Sequence, residues 1–158
     1  MDEETAYHEA GHALVATLLG GRVISVTIAP DDDDGPRRFG DTQVAWRRSL
    51  SERELRERGV QVALGGPVAE MLYTGDPFHP GLVAEWAGDW QSAWELAASL
   101  MPDERKRLSY LEDLTRQLHR LLDAEPHWSA LAALADNLLA HETLERDEVR
   151  EIVGEWMG

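Results

Sequence analysis

A histidine pair near the start of the chain places the strongest constraint on what this sequence can fold into. His8 and His12 are four residues apart, so in an α-helix both rings lie on one face. Their neighbours are mostly small or apolar, which predicts a mostly buried helix: Ala10, Gly11, Ala13, Leu14, Val15 and Ala16. Buried histidines need polar partners, and a metal ion bound by both rings would be one.

The pair belongs to a His-Glu-x-x-His pattern, which is typical of zinc peptidases. In such a site the two imidazoles bind zinc, and Glu9 takes a proton from a zinc-activated water. A chance match to the three fixed positions is expected roughly 0.02 times in a chain of this composition. The alternative is a surface helix with two accidental histidines, and the apolar context counts against it.

Two histidines do not complete the site, because a catalytic zinc usually has three protein ligands. The chain has no cysteine, so the third ligand must be a histidine or a carboxylate. Glu70 and Asp89 stand out because each lies among apolar residues, where a carboxylate is unfavourable unless it is paired or metal-bound. The residues alone do not choose between the two. The remaining histidines are expected to be solvated or to cap helices: His79, His119, His127 and His141.

Composition narrows the functional class. The 158 residues carry a formal net charge of −15, which disfavours binding to nucleic acid or to anionic membranes. The mostly apolar run 13–19 is too short to span a bilayer, and the N-terminus lacks the features of a secretory signal. We therefore expect a cytoplasmic protein with one domain over 1–158, divided into a zinc-site part over about 1–101 and a helical part over about 102–158.

The order of local signals predicts a mainly α fold of the α+β class. A helix is expected over about 2–19, ended by Gly20-Gly21. Strands over 23–28 and 42–46 should pair as one small β element. The acidic run 31–34 is expected to form a solvated loop.

Helices are expected through most of the rest of the chain. Ser51 and Glu54 form a capping box that starts one of them, and Pro67 should kink or restart it. After a loop over 73–81, further helices are predicted mainly over 82–101, from 102, from 126 and over 145–157. Three tryptophans in the 82–101 helix are spaced by four residues and should pack in the core rather than line a pocket: Trp86, Trp90 and Trp94.

Six segments, in order, resemble the peptidase domain of the FtsH family of zinc metalloproteases: 5–13, 26–30, 40–43, 63–70, 88–93 and 134–144. The resemblance implies a zincin-like fold with a C-terminal helical bundle, Zn²⁺ bound by His8, His12 and Asp89, and Glu9 as general base. It makes Glu70 a residue beside the site and the runner-up ligand. Pro67 and Trp94 replace an arginine and a threonine of the family pattern.

The resemblance also implies partners. FtsH proteases usually add membrane helices and an ATPase module and form hexameric rings, whereas this sequence contains no Gly-x-x-x-x-Gly-Lys-[Ser/Thr] loop. We therefore expect a metalloendopeptidase that is ATP-independent by itself and cuts unfolded or short polypeptides. Alternatively, a separate ATPase chain could unfold its substrates. Substrate is expected to add as a strand beside Val26, Thr27 and Ile28. The alternative is a catalytically inactive, zinc-stabilised binding or regulatory domain.

Overall fold

The computed structural model describes residues 2–29, 41–75, 79 and 86–157. These residues form six helices and three strands, which confirms the expected mainly helical fold. In chain order the elements are α1 (Asp2–Leu18), β1 (Arg22–Thr27), β2 (Asp41–Ala45), α2 (Glu52–Thr74), α3 (Ala87–Ala97), α4 (Glu104–Asp123), α5 (His127–His141), β3 (Thr143–Glu145) and α6 (Glu148–Met157). None of the helices described has the length and apolar character needed to cross a bilayer.

Local signals set the ends of the first two helices as expected. Gly20, at the end of α1, has a φ of +89°, a conformation that residues with a Cβ rarely adopt. At the start of α2, the Glu54 amide donates to the Ser51 hydroxyl, and the Glu54 carboxylate accepts from the Ser51 amide. This capping box provides hydrogen-bond acceptors for two of the backbone amides that have none within the helix at its N-terminus.

The helices α1 and α2 cross with almost no side chain between their backbones. A Cβ added at Gly11 would lie 2.3 Å from the Gly65 carbonyl oxygen and 2.6 Å from Cβ of Ala69. The crossing therefore depends on glycine at Gly11, and it brings the histidine face of α1 onto α2. Behind it, α1 also packs against α5, and the core continues from these helices into α4 and α6.

The sheet lies beside α1 in the order β2-β1-β3, with both pairings antiparallel. Val26 is fully buried at its centre and pairs with Thr42 on one side and Leu144 on the other. The expected pairing of the first two strands is confirmed. The third strand was not predicted, and the closing helix, expected from residue 145, begins only at Glu148.

Two other expectations concern the continuity and the end of α2. Helix α2 continues through Pro67 without a restart, because the segment 64–69 is buried against α1 and tertiary packing outweighs the hydrogen bond that proline removes. Helix α2 also runs to Thr74, past the predicted start of the loop at residue 73. The acidic run 31–34 and the segment 80–85 lie outside the described residues.

Candidate metal centre and cleft

The histidine pair is held by one face of α2. Val62, Gly66 and Glu70 follow one another at intervals of four residues, so they share that face. The first two lie against His12 and the third against His8. Glycine is needed in the middle, because a Cβ at Gly66 would lie 2.4 Å from Nε2 of His12.

Each ring uses its Nδ1 nitrogen for a contact with α2. The Nδ1 of His12 lies 2.6 Å from the carbonyl oxygen of Val62, to which it must donate its proton. The Nδ1 of His8 lies 3.0 Å from Oε1 of Glu70, to which it also donates. Hydrogen bonds of this kind fix the orientation of a histidine ring and leave Nε2 available as a ligand atom.

Asp89 completes a group of three ligand atoms from α1 and α3. Its Oδ2 lies 2.7 Å from Nε2 of His8 and 3.4 Å from Nε2 of His12. All three potential ligand atoms lie within 4.8 Å of one another. Two imidazole nitrogens and one carboxylate oxygen converging in this way suit a zinc ion, which accepts both ligand types and needs few protein donors.

The protonation of these groups reflects their proximity. Burial opposes a charge on His8, but hydrogen bonds to Asp89 and Glu70 outweigh it and raise the pKa of His8 to about 10. Burial also opposes a charge on His12, yet its contact with Asp89 raises the pKa of that ring. Burial raises the pKa of Asp89, and the two histidines lower it further than burial raises it, to well below its usual range. Without metal, a proton therefore lies between the rings and the carboxylate.

Glu9 lies beside this group and is only 7% exposed. Its Oε1 accepts a hydrogen bond of 2.9 Å from the Thr42 hydroxyl on β2. No other described side chain donates to the Glu9 carboxylate. The carboxylate is thus held from one side, by the sheet.

A cleft of about 310 Å³ opens over these residues. Its polar part includes Glu9, His12 and Asp89, and its other walls come from β2, the segment after it, α2 and α3: Asp41, Thr42, Val44, Trp46, Gly59, Val62, Ala63 and Ser92. Thr42, Val44 and Trp46 alternate along the chain and so present one face of the strand to the cleft.

The two sequence candidates for the third ligand have different positions. Asp89 faces the Nε2 atoms of both rings, whereas Glu70 faces the opposite nitrogen of His8. Glu70 is therefore outside the group of three converging atoms and supports one of its members.

The strand expected to receive the substrate, β1, is not an edge of the sheet. The predicted residues Val26, Thr27 and Ile28 do not offer an open edge, because β1 lies between β2 and β3 and the Ile28 amide donates to the Glu142 carbonyl. Val26 is also fully buried. The outer edge of β2 has no strand partner among the described residues, and β2 rather than β1 borders the cleft.

The remaining candidates lie away from the group of three. His79 meets the Trp90 ring edge-on at 4.5 Å and lies 3.5 Å from Glu112. Among the described residues, no metal-competent cluster includes His119, His127 or His141. The tryptophan stripe packs as expected: Trp86 is buried, Trp90 and Trp94 pack against the core, and none of the three lines the cleft.

Sequence reasoning missed three contributors to the site. Thr42 was noted only as part of a strand, although the alternation of Thr42, Val44 and Trp46 places them on one face. Gly66 gave a usable signal, since two glycines before a proline inside a helical pattern indicate a close approach. The Val62 carbonyl gave none, because any residue supplies a carbonyl.

Comparison with known proteins connects this geometry to a family. The chain is 31% identical over 94% of its length to the ATP-dependent zinc metalloprotease FtsH 2 of Symbiobacterium thermophilum. It is 32% identical over 97% of its length to FtsH 4 of Sorangium cellulosum, and 47% identical over 46% of its length to FtsH 1 of Rhodopirellula baltica. The chain spans about 29% of the first two of these relatives. No family model matches it.

Proposed function

We propose that this chain, an FtsH-like protein of the peptidase-domain type, is a zinc-dependent endopeptidase that cuts unfolded or short polypeptides. Its similarity to zinc metalloproteases over nearly its whole length supports the reaction class. The observation that carries the proposal is local: the ligand atoms of His8, His12 and Asp89 converge, and two of these residues, His12 and Asp89, line one cleft together with Glu9.

His8, His12 and Asp89 would hold the zinc. When bound, zinc supplies a Lewis acid that polarises the scissile carbonyl and lowers the pKa of water toward neutrality. Val62 and Glu70 keep the two rings turned toward the shared point through their Nδ1 atoms. These supports mean that the rings need little reorganisation to bind metal.

Glu9 would act as the general base. Its carboxylate would take a proton from the attacking water and deliver it to the leaving amine nitrogen. The low exposure of Glu9 supports this role, because a carboxylate screened from bulk water exchanges protons with groups in the cleft. The replacement Glu9→Gln removes this capacity while leaving the three ligand side chains in place.

The substrate would lie extended along β2. This strand borders the cleft, and its outer edge has no partner among the described residues, so a peptide could add there through backbone hydrogen bonds. Peptides with single N-methylated amides test the arrangement. Methylation at one or more alternate positions should raise KM. KM values that are unchanged at every position would contradict the addition of the substrate to β2 as a strand.

ATP-driven unfolding of protein substrates would require a component other than the residues of this sequence. The relatives are named as ATP-dependent proteases, and this sequence contains no phosphate-binding loop. We therefore propose that the chain alone cleaves an unfolded casein-type substrate and spares folded proteins. A separate ATPase chain and a hexameric ring are the partners that the family resemblance implies, and light scattering of the purified chain tests the ring.

The test of the proposed function compares four zinc-treated proteins: wild type, Glu9→Gln, Asp89→Ala and Glu70→Ala. Wild type and Glu9→Gln should each bind about one zinc ion, while cleavage by Glu9→Gln should fall roughly 10²- to 10⁴-fold. Asp89→Ala should lose zinc. Zinc binding without cleavage in wild type would instead support a zinc-stabilised binding or regulatory domain.

A further inference from the structure

The hydrogen bond from Thr42 to Glu9 joins the sheet to the proposed base. The two residues are 33 positions apart in sequence, and the bond measures 2.9 Å. A buried carboxylate is stabilised by each donor it finds, and Thr42 supplies the one side-chain donor that Glu9 has among the described residues. Because the bond takes Oε1, the second oxygen, Oε2, remains free to exchange a proton.

The position of Thr42 on the sheet gives this contact a second consequence. Thr42 lies opposite the buried Val26 on β1. Ile24 and Ile28, two residues to either side of Val26, are hydrogen-bonded to the β3 side of the sheet, so Val26 directs its own amide and carbonyl to that side as well. Val26 and Thr42 are therefore a non-hydrogen-bonded pair, and the amide and carbonyl of Thr42 point away from β1. Its outer side belongs to the edge of β2, which has no strand partner within the described residues. A peptide that added to this edge opposite Thr42 would therefore bond directly to the backbone of Thr42.

We propose that Thr42 is a positioning residue that couples occupancy of the β2 edge to the orientation of Glu9. The inference rests on the proposed function. A carboxylate at the end of a glutamate side chain rotates easily, and catalysis needs it in one orientation toward the cleft. The Thr42 hydroxyl selects that orientation, and a peptide lying along β2 restricts it further.

The kinetic test uses two substitutions that separate the hydroxyl from the shape of the side chain. Thr42→Val keeps the branched shape and removes the donor, so kcat should fall roughly 10- to 100-fold with KM changed by less than about twofold. Thr42→Ser restores the donor and should recover most of the loss. An equal loss in both variants, or none in Thr42→Val, would overturn the role of the hydroxyl.

Substrate length tests the coupling to the edge. The kcat loss in Thr42→Val should be larger for a peptide of about eight residues, which can pair along β2, than for a peptide too short to reach it. Identical losses for the long and the short peptide would show that Thr42 orients Glu9 without any link to the edge.

A structural readout keeps the inference independent of activity. In crystal structures of the metal-free proteins, Glu9 should have one carboxylate orientation in wild type and Thr42→Ser, and more than one in Thr42→Val. A single unchanged orientation in Thr42→Val would contradict the inference. Absence of cleavage in wild type would contradict the proposed function, whereas the orientation of Glu9 would still decide the role of Thr42.

Discussion

Glu70 Oε1 lies 3.0 Å from Nδ1 of His8, while Nε2 of the same ring lies 2.7 Å from Asp89. One imidazole thus joins a carboxylate on α2 to a carboxylate on α3. Because only Asp89 is on the Nε2 side that His8 shares with His12, the two acidic residues are predicted to respond differently to substitution.

Removal of the Glu70 carboxylate should weaken zinc binding without abolishing it. Glu70→Ala frees the His8 ring to rotate, and loss of such a support typically lowers metal affinity roughly 10- to 100-fold. Glu70→Gln keeps an acceptor oxygen and should lose less. Competition with a chelator measures both variants. Complete loss in Glu70→Ala together with retention in Asp89→Ala would make Glu70 the ligand.

Zinc binding should release protons and strengthen as pH rises. The pKa of His8 is raised from 6.5 to about 10, so at neutral pH the metal-free site holds a proton that zinc must displace. Affinity should therefore increase across the neutral range until pH approaches 10. Calorimetry in buffers of different ionisation enthalpy should show about one proton or more released per zinc ion. Binding that is independent of pH between 6 and 9 would contradict the raised pKa.

Without metal, the same contacts should give the fold a stability maximum in mildly acidic solution. The contribution of His8 is complete below its unfolded pKa of 6.5 and is lost as pH rises through about 10. The pKa of Asp89 is lowered from 3.8, so its contribution is present above 3.8 and is lost as pH falls toward the folded value. Urea unfolding of chelator-treated protein should therefore show this contribution in full between about pH 4 and 6.5, and its loss in Asp89→Asn.

Gly66→Ala should disable the metal centre while every ligand side chain remains. The added Cβ would meet Nε2 of His12 at 2.4 Å, so the ring must leave the shared point and its bond to the Val62 carbonyl. We expect zinc affinity to fall roughly tenfold or more. Gly154→Ala, whose Cβ would meet no atom within 4 Å, is the matched control. Unchanged zinc binding in Gly66→Ala would show that α2 shifts enough to accommodate the added Cβ.

Gly11→Ala should destabilise the fold through the crossing of α1 and α2. Its Cβ would collide with the Gly65 carbonyl and with Ala69, and overpacking of this kind costs about 1–3 kcal/mol of unfolding free energy. Gly154→Ala should instead stabilise α6 by about 0.5–1 kcal/mol. Denaturant unfolding measures both. Equal stability of Gly11→Ala and wild type would mean that the helices separate at little cost.

The sequence predicted the local parts of this site better than the distant ones. Helical spacing was enough to place His8 and His12 on one face, and residue chemistry was enough to single out Glu70 and Asp89. The choice between those two depends on which helix meets which ring nitrogen, and that contact joins residues 81 positions apart. Only the family resemblance favoured Asp89 in advance.

The sheet shows the same difference between local features, which were predicted, and distant contacts, which were not. Residue propensity predicted β1 and β2, which follow one another along the chain. It missed the three-residue β3, whose pairing with β1 is set by the packing of the C-terminal helices rather than by its own composition. Without β3, β1 appeared to be an edge, and for that reason the peptide was expected to add there.

The outer edge of β2 has a consequence for self-association of the protein. An edge strand can pair with an extended chain, including that of a second molecule, and no described strand pairs with the outer side of β2. At only five residues, 41–45, this edge offers few bonds to a neighbour. The net charge of −15 adds repulsion between identical copies. The short length of the edge and the charge of the molecule thus disfavour aggregation through the strand at which the substrate is proposed to add.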